Sequence, residues 1–194
     1  MENKLSFGAN ITCQMERPAI VTPGFSIKSI YDVEHWRKGR LLSKTQDHNL
    51  VVTEGLNFLL NVMFGGTTAF DPWNILIFET TPSPALDATS TYVTGHGTDW
   101  TECNSFAAPT VRPEYVDAAA AAGVITNAAS KAVFTMSDTK TIYGAALVGG
   151  AESATVRDVT AGNFIFCAAL FGSAKSVVST DVLNVSITIT AADA

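Results

Sequence analysis

Charge is what this sequence has least of. Only 15% of its residues are charged, while 47% are hydrophobic; soluble domains average about 25% charged residues. The chain is instead full of Ala, Thr, Ser and Gly, which fits either an all-β domain with a Thr/Ser surface or a surface covered by neighbouring subunits. Cysteine is scarce too: Cys13, Cys103 and Cys167 are odd in number and lack ligand spacing, which excludes a disulfide framework and a paired-Cys metal site. Cys167 lies in the apolar run FIFCAALF and reads as a small buried hydrophobe. No apolar run approaches the roughly 18 residues of a membrane span, and MENKLSFGAN has no apolar signal core. The expectation is a chain folded in a reducing cytoplasm, so that the Asn-x-Ser/Thr sequences at Asn10 and Asn184 carry no glycan.

Catalytic signatures are missing as well. There is no Gly-x-Ser-x-Gly elbow, no phosphate-cradling Gly-rich loop ending in Lys-Ser/Thr, and no Cys-x-x-Cys. Of the three histidines, His48 follows Asp47, but adjacent strand residues point to opposite faces. His96 lies three residues from Asp99, a single pair too few for a metal site. Asp99/Glu102 and Glu114/Asp117 offer carboxylate pairs of the kind glycoside hydrolysis needs, as any acidic chain does. Tyr92, Trp100 and Tyr115 could stack on sugars, but loop anchoring or core packing is the simpler reading. The chain is expected to be non-enzymatic, with no cofactor and no metal.

What charge there is, is unevenly placed. The net charge is −6, which argues against nucleic-acid binding. Residues 1–44 carry seven Lys/Arg against four Asp/Glu, and residues 45–194 carry five against fourteen. The basic turn Arg37-Lys38-Gly39-Arg40, with Lys44 just beyond, is expected to dock on an acidic protein surface.

The clearest element is Thr53–Gly66, TEGLNFLLNVMFGG. Leu56, Leu59, Leu60 and Met63 recur at helical spacing. Thr53 is expected to cap the N-terminus, Glu54 to favour the helix dipole, and Gly65-Gly66 to stop the helix near residue 65. With Phe58, Val62 and Phe64 added, the helix is apolar over most of its circumference, so it is expected to be covered on several sides.

The rest reads as sheet. Strands are expected at 25–37, 41–50, 73–79, 111–116, 124–127, 131–137, 141–148, 163–171, 175–179 and 182–190, the last with clean two-residue alternation. WNILIFE (73–79) is apolar throughout and so is expected to be covered on both faces. Residues 80–109 read as a long surface excursion anchored by Tyr92, His96, Trp100 and Phe106. Ala118–Ala122 is too short to nucleate a helix. The fold expected is all-β, a β-sandwich or jelly roll with one helix at about 53–65, in a domain spanning 25–194. Residues 1–24 form an apolar N-terminal arm that packs on its own domain or lies across a neighbour.

Two stretches, SIYDVEHWRKGRLLSKTQDHNLVVTEGLNFLLNVMFGG and RPEYVDAAAAAGVITNAASKAVFTMSDTKTIYGAALVGG, carry a resemblance. The phrases NLVVTEGLN (49–57), WNILIFE, RPEY (112–115) and the hairpin around 131–150 resemble a tailed-bacteriophage family of virion structural proteins of the capsid cement (decoration) type. The likeness covers roughly residues 27–190. It implies a protein of the phage head surface, made in the host cytoplasm, whose partner is the major capsid protein and which forms a dimer or trimer on the shell, with no nucleic acid and no membrane. Partner contacts are then expected at Phe7, Ile11 and Ile20 of the arm, at Arg37, Lys38, Arg40 and Lys44 of the basic turn, and at Trp100 of the excursion. The alternatives are a tail, collar or head-fibre component, or a host-glycan or receptor-binding module. The absence of repeats or heptads favours cement over a fibre.

Overall fold

The computed structural model describes residues 25–48, 50–80, 86–157 and 161–193. The arm, with Phe7, Ile11 and Ile20, lies outside the described residues. In chain order the elements are β1 (Phe25–Arg37), β2 (Arg40–His48), β3 (Leu50–Val51), α1 (Thr53–Phe64), β4 (Asn74–Thr80), α2 (Tyr92–Gly95), β5 (Thr101–Glu102), β6 (Phe106–Ala108), β7 (Val124–Thr126), β8 (Ala132–Met136), β9 (Lys140–Gly149), β10 (Phe164–Val177) and β11 (Val182–Asp193).

They form two antiparallel sheets. The first runs β2-β1-β11-β8-β6, with β7 also on β11; the second runs β3-β10-β9-β4-β5. The longest ladder joins the first and last of these strands, from Phe25↔Asp193 to Trp36↔Val182. Along it the alternating side chains Tyr31, Val33, Leu183, Val185 and Ile187 turn inward and are fully buried. They meet Ile75, Ile77, Ala145, Leu147, Cys167 and Ala169 of the second sheet in the main core. The two sheets thus pack as a sandwich, as the alternation of residues 182–190 predicts.

A second, smaller core lies on the outer face of the second sheet. Leu76, Phe78, Ala146, Val148, Ile165 and Ala168 pack there against Val52, Tyr92 and Trp100. This is why WNILIFE has no polar face: Ile75 and Ile77 face the first core while Leu76 and Phe78 face the second. The structure makes one strand of 163–171 and 175–179, joined across a register shift between Leu170 and Lys175. The expected strand at 111–116 is reduced to an isolated bridge between Glu114 and Asn74.

The helix is where the structure departs most from expectation. It flanks the second sheet, but among the described residues it is not covered on several sides. Gly55 is its one fully buried residue, and a Cβ there would lie 2.4 Å from the Phe166 carbonyl oxygen. That backbone-to-backbone approach sets the rotation of the helix, turning Gly55, Phe58, Leu59 and Val62 toward the sheet. The leucine face read from the sequence is therefore split. Leu59 faces inward, while Leu56 (36% exposed), Leu60 (54%), Met63 (62%) and Phe64 (79%) face outward. Thr53 is not the cap either. Val52 holds that position and no side chain caps the helix. Gly66, at φ 74°, ends it in the left-handed conformation that glycine adopts without strain.

Candidate interaction surfaces

Buried ionisable groups come first, because they show which charges the fold itself uses. Glu102, on β5, is buried beside Arg112, which is also buried. Arg112 donates from Nε to Glu102 Oε1 at 2.7 Å and from Nη2 to Oε2 at 2.6 Å. It also donates to the Ser153 carbonyl and to the Tyr92 hydroxyl, each at 2.8 Å. Glu102 Oε2 further accepts the Arg157 backbone N–H at 2.8 Å and lies 3.3 Å from His96 Nε2. Burial by itself would raise the Glu102 carboxyl, but the Arg112 guanidinium, with His96, holds it below the usual carboxylate range. Arg112 Nε, Nη1 and Nη2 all donate to protein acceptors, so the cluster pins residues 92–112 and 153–157 onto the second sheet.

Glu54 does the same for the helix. Its Oε2 accepts the backbone N–H of Tyr92 at 2.9 Å and of Ile165 at 2.7 Å. Its part is therefore tertiary as well as electrostatic, and burial raises its carboxyl above the ordinary value despite those two bonds.

The excursion is anchored by the residues the sequence singled out: Tyr92, Trp100 and Phe106 are buried and His96 packs among them. The same burial corrects one expectation. Trp100 is 1% exposed, wedged against Phe78 and Tyr92, and cannot be a partner contact on this surface. Nor do Tyr92, Trp100 and Tyr115 form a sugar-stacking platform, since all three are buried. Asp99/Glu102 is no pair of facing acids, because Arg112 holds Glu102. Asp47 accepts the Gly172 backbone N–H at 2.7 Å and His48 is exposed. Among the described residues no group of three His, Cys, Asp or Glu is placed to hold a metal ion.

A third cluster lies at the root of the basic hairpin. Buried Asp181 accepts from Arg37 Nε at 2.8 Å and Nη2 at 2.7 Å, lies 2.8 Å from His35 Nε2, and accepts the Val178 backbone N–H at 2.9 Å. The Arg37 bonds in particular hold its carboxyl far below the usual range. Arg37 is thus fixed, whereas Lys38 and Arg40 stand exposed at the tip. Lys44 is exposed and 3.5 Å from Glu34. Leu41 and Leu42 are exposed beside them, so the tip is apolar as well as basic.

Two further surfaces were not legible in the sequence. The first is the outward stripe of α1, four large apolar side chains at i, i+4, i+7 and i+8 with no covering residue among the described residues. The second is a cavity of about 340 Å³ between the sheets, walled by Phe70, Trp73, Phe166, Ile125 and Ile189, with Asp71 and Asp117 also lining it. Both carboxylates are exposed and so mark its rim. Nothing in the local sequence joins residues 70–73, 117, 125, 166 and 189; only the sandwich does.

Comparison with protein-family models, curated proteins and solved structures found no match to this chain.

Proposed function

We propose that this chain is a non-enzymatic virion structural protein, a capsid cement subunit that docks on the phage head shell and stabilises it. The observation that carries the docking part is the α1 stripe. Soluble monomers bury apolar side chains of this size or scatter them; a contiguous set on one helix face is a mark of a contact surface. Beneath it the helix is held rigidly, by the Gly55–Phe166 approach and by the two backbone bonds to Glu54. The class of partner comes from the resemblance of residues 27–190, which points to the major capsid protein. Stabilisation then follows from linkage, since a subunit that binds the assembled lattice and not the free capsid protein shifts the equilibrium toward assembly.

The test uses shells that lack this protein. Added wild-type chain should bind saturably in an icosahedral multiple and raise the heat resistance of the shell. Leu60→Asp with Met63→Asp should remove two apolar contacts of about 1.5–3 kcal/mol each, weakening binding at least a hundredfold. Equal occupancy by the double variant would take α1 out of the interface. No binding to shells, with the protein found instead at a tail or collar, would favour the tail-component reading. A glycan-binding module has no support from Trp100 or Tyr92, whose rings are buried.

A further inference from the structure

We propose that the tip of the β1–β2 hairpin docks into the acid-rimmed cavity of a second copy of this chain, joining copies head to tail.

The two surfaces are complementary in kind. The cavity presents aromatic and aliphatic walls beneath two exposed carboxylates, Asp71 and Asp117. The tip presents exposed Leu41 and Leu42 beside exposed Lys38 and Arg40. Leu41 pairs with Trp36 and Ser43 with His35, so Leu42 is an extra, unpaired residue of the ladder, and the tip offers two exposed leucines side by side. At about 340 Å³ the cavity falls within the range that holds a small ligand.

The turn itself supports a role for its cation. Lys38 and Gly39 have φ of 50° and 75°, the two left-handed residues of a two-residue hairpin loop. Such a loop favours Asn-Gly, Asp-Gly or Gly-Gly, and a residue with a longer side chain costs on the order of 1 kcal/mol there. Lysine is thus a poor choice for the turn, but it places a charge at the extreme tip. Behind it, the paired bonds of Arg37 to Asp181 fix the root of the hairpin, so little freedom is lost on docking.

The hairpin cannot fill its own cavity. Ser29 pairs with Ile189 of the cavity wall, and Arg37 lies eight residues further on in the same strand, about 27 Å along it. Plug and socket therefore sit at opposite ends of one molecule. A contact between two different patches is heterologous and builds closed rings or open chains. The inference does not rest on the shell reading, because it concerns the protein alone.

Sedimentation velocity of the full-length protein without shells tests it. The wild-type mass should rise with concentration, and less so at high salt. Lys38→Glu with Arg40→Glu should be monomeric, as should Asp71→Lys with Asp117→Lys. All four are exposed positions, and far-ultraviolet circular dichroism confirms that each variant folds. Mixing the two variants should restore association, since each reversed patch then finds a partner of opposite sign. A wild type that stays monomeric at every concentration overturns the proposal, whatever fills the cavity, the arm of the same chain included. So does a tip variant that associates like wild type, or a mixture that stays monomeric.

Discussion

Replacing Arg112 with methionine tests the energetic logic of this fold most directly. Methionine keeps much of the side-chain volume and removes the guanidinium. Four hydrogen bonds go with it, two of them to the Glu102 carboxylate. The larger effect is on what remains. Glu102 would keep the Arg157 backbone N–H and His96, but its charge would sit buried without a strong counter-ion. Breaking a buried pair from one side costs about 3–5 kcal/mol. For a domain of this size that is a fall in melting temperature of roughly 6–20 °C, at about 2–4 °C per kcal/mol. Removing both partners, with Arg112→Met and Glu102→Leu, should recover most of the loss, since an apolar replacement of a whole buried pair is often close to neutral. Urea unfolding of wild type, both single variants and the double gives the coupling energy. A single variant that loses less than about 1 kcal/mol, or a double as unstable as the sum of the singles, would refute the claim that the charge left behind dominates.

Three other outcomes follow from the geometry. Gly55→Ala places a methyl group against the Phe166 backbone; overpacking of about 1–3 kcal/mol should outweigh a gain of about 1 kcal/mol in helix propensity, leaving a net destabilisation in thermal melts. Leu60→Asp with Met63→Asp should leave the stability of the free protein within about 1 kcal/mol of wild type, as exposed positions do, while the proposed docking weakens at least a hundredfold. In acid, Glu34 is held at about 2, first by its bond to Lys131, and Asp181 is also held low by Arg37. Their folded values lie below the unfolded ones, so their stabilisation is present above about pH 4.5 and is lost as the pH falls from there. Glu54, raised by burial, acts with the opposite sign and partly offsets the loss. Glu34→Gln should therefore flatten the decline in stability below about pH 4.5, read from urea midpoints between pH 7 and 2.

Much of the fold was written in local pattern. The two-residue alternation of 182–190 gives a strand with one buried face, and the unbroken apolar run 73–79 gives one buried on both. Helical spacing within 53–64 gives the helix, and Gly65-Gly66 ends it; these are short-range signals that the chain carries wherever it folds. The anchors Tyr92, His96, Trp100 and Phe106 were legible for the same reason, since large rings in a polar excursion have nowhere else to go. What the sequence could not settle is which of two apolar helix faces turns inward. That depended on Gly55 meeting the Phe166 backbone 111 residues away in the chain, and on a long-range approach that no periodicity encodes. The same holds for Arg112 and Glu102, for Arg37 and Asp181, and for the cavity rim of Asp71 and Asp117. Each is a meeting of residues from separate strands or loops. Tertiary packing alone decides whether such a charge is buried with a partner or left exposed for another molecule.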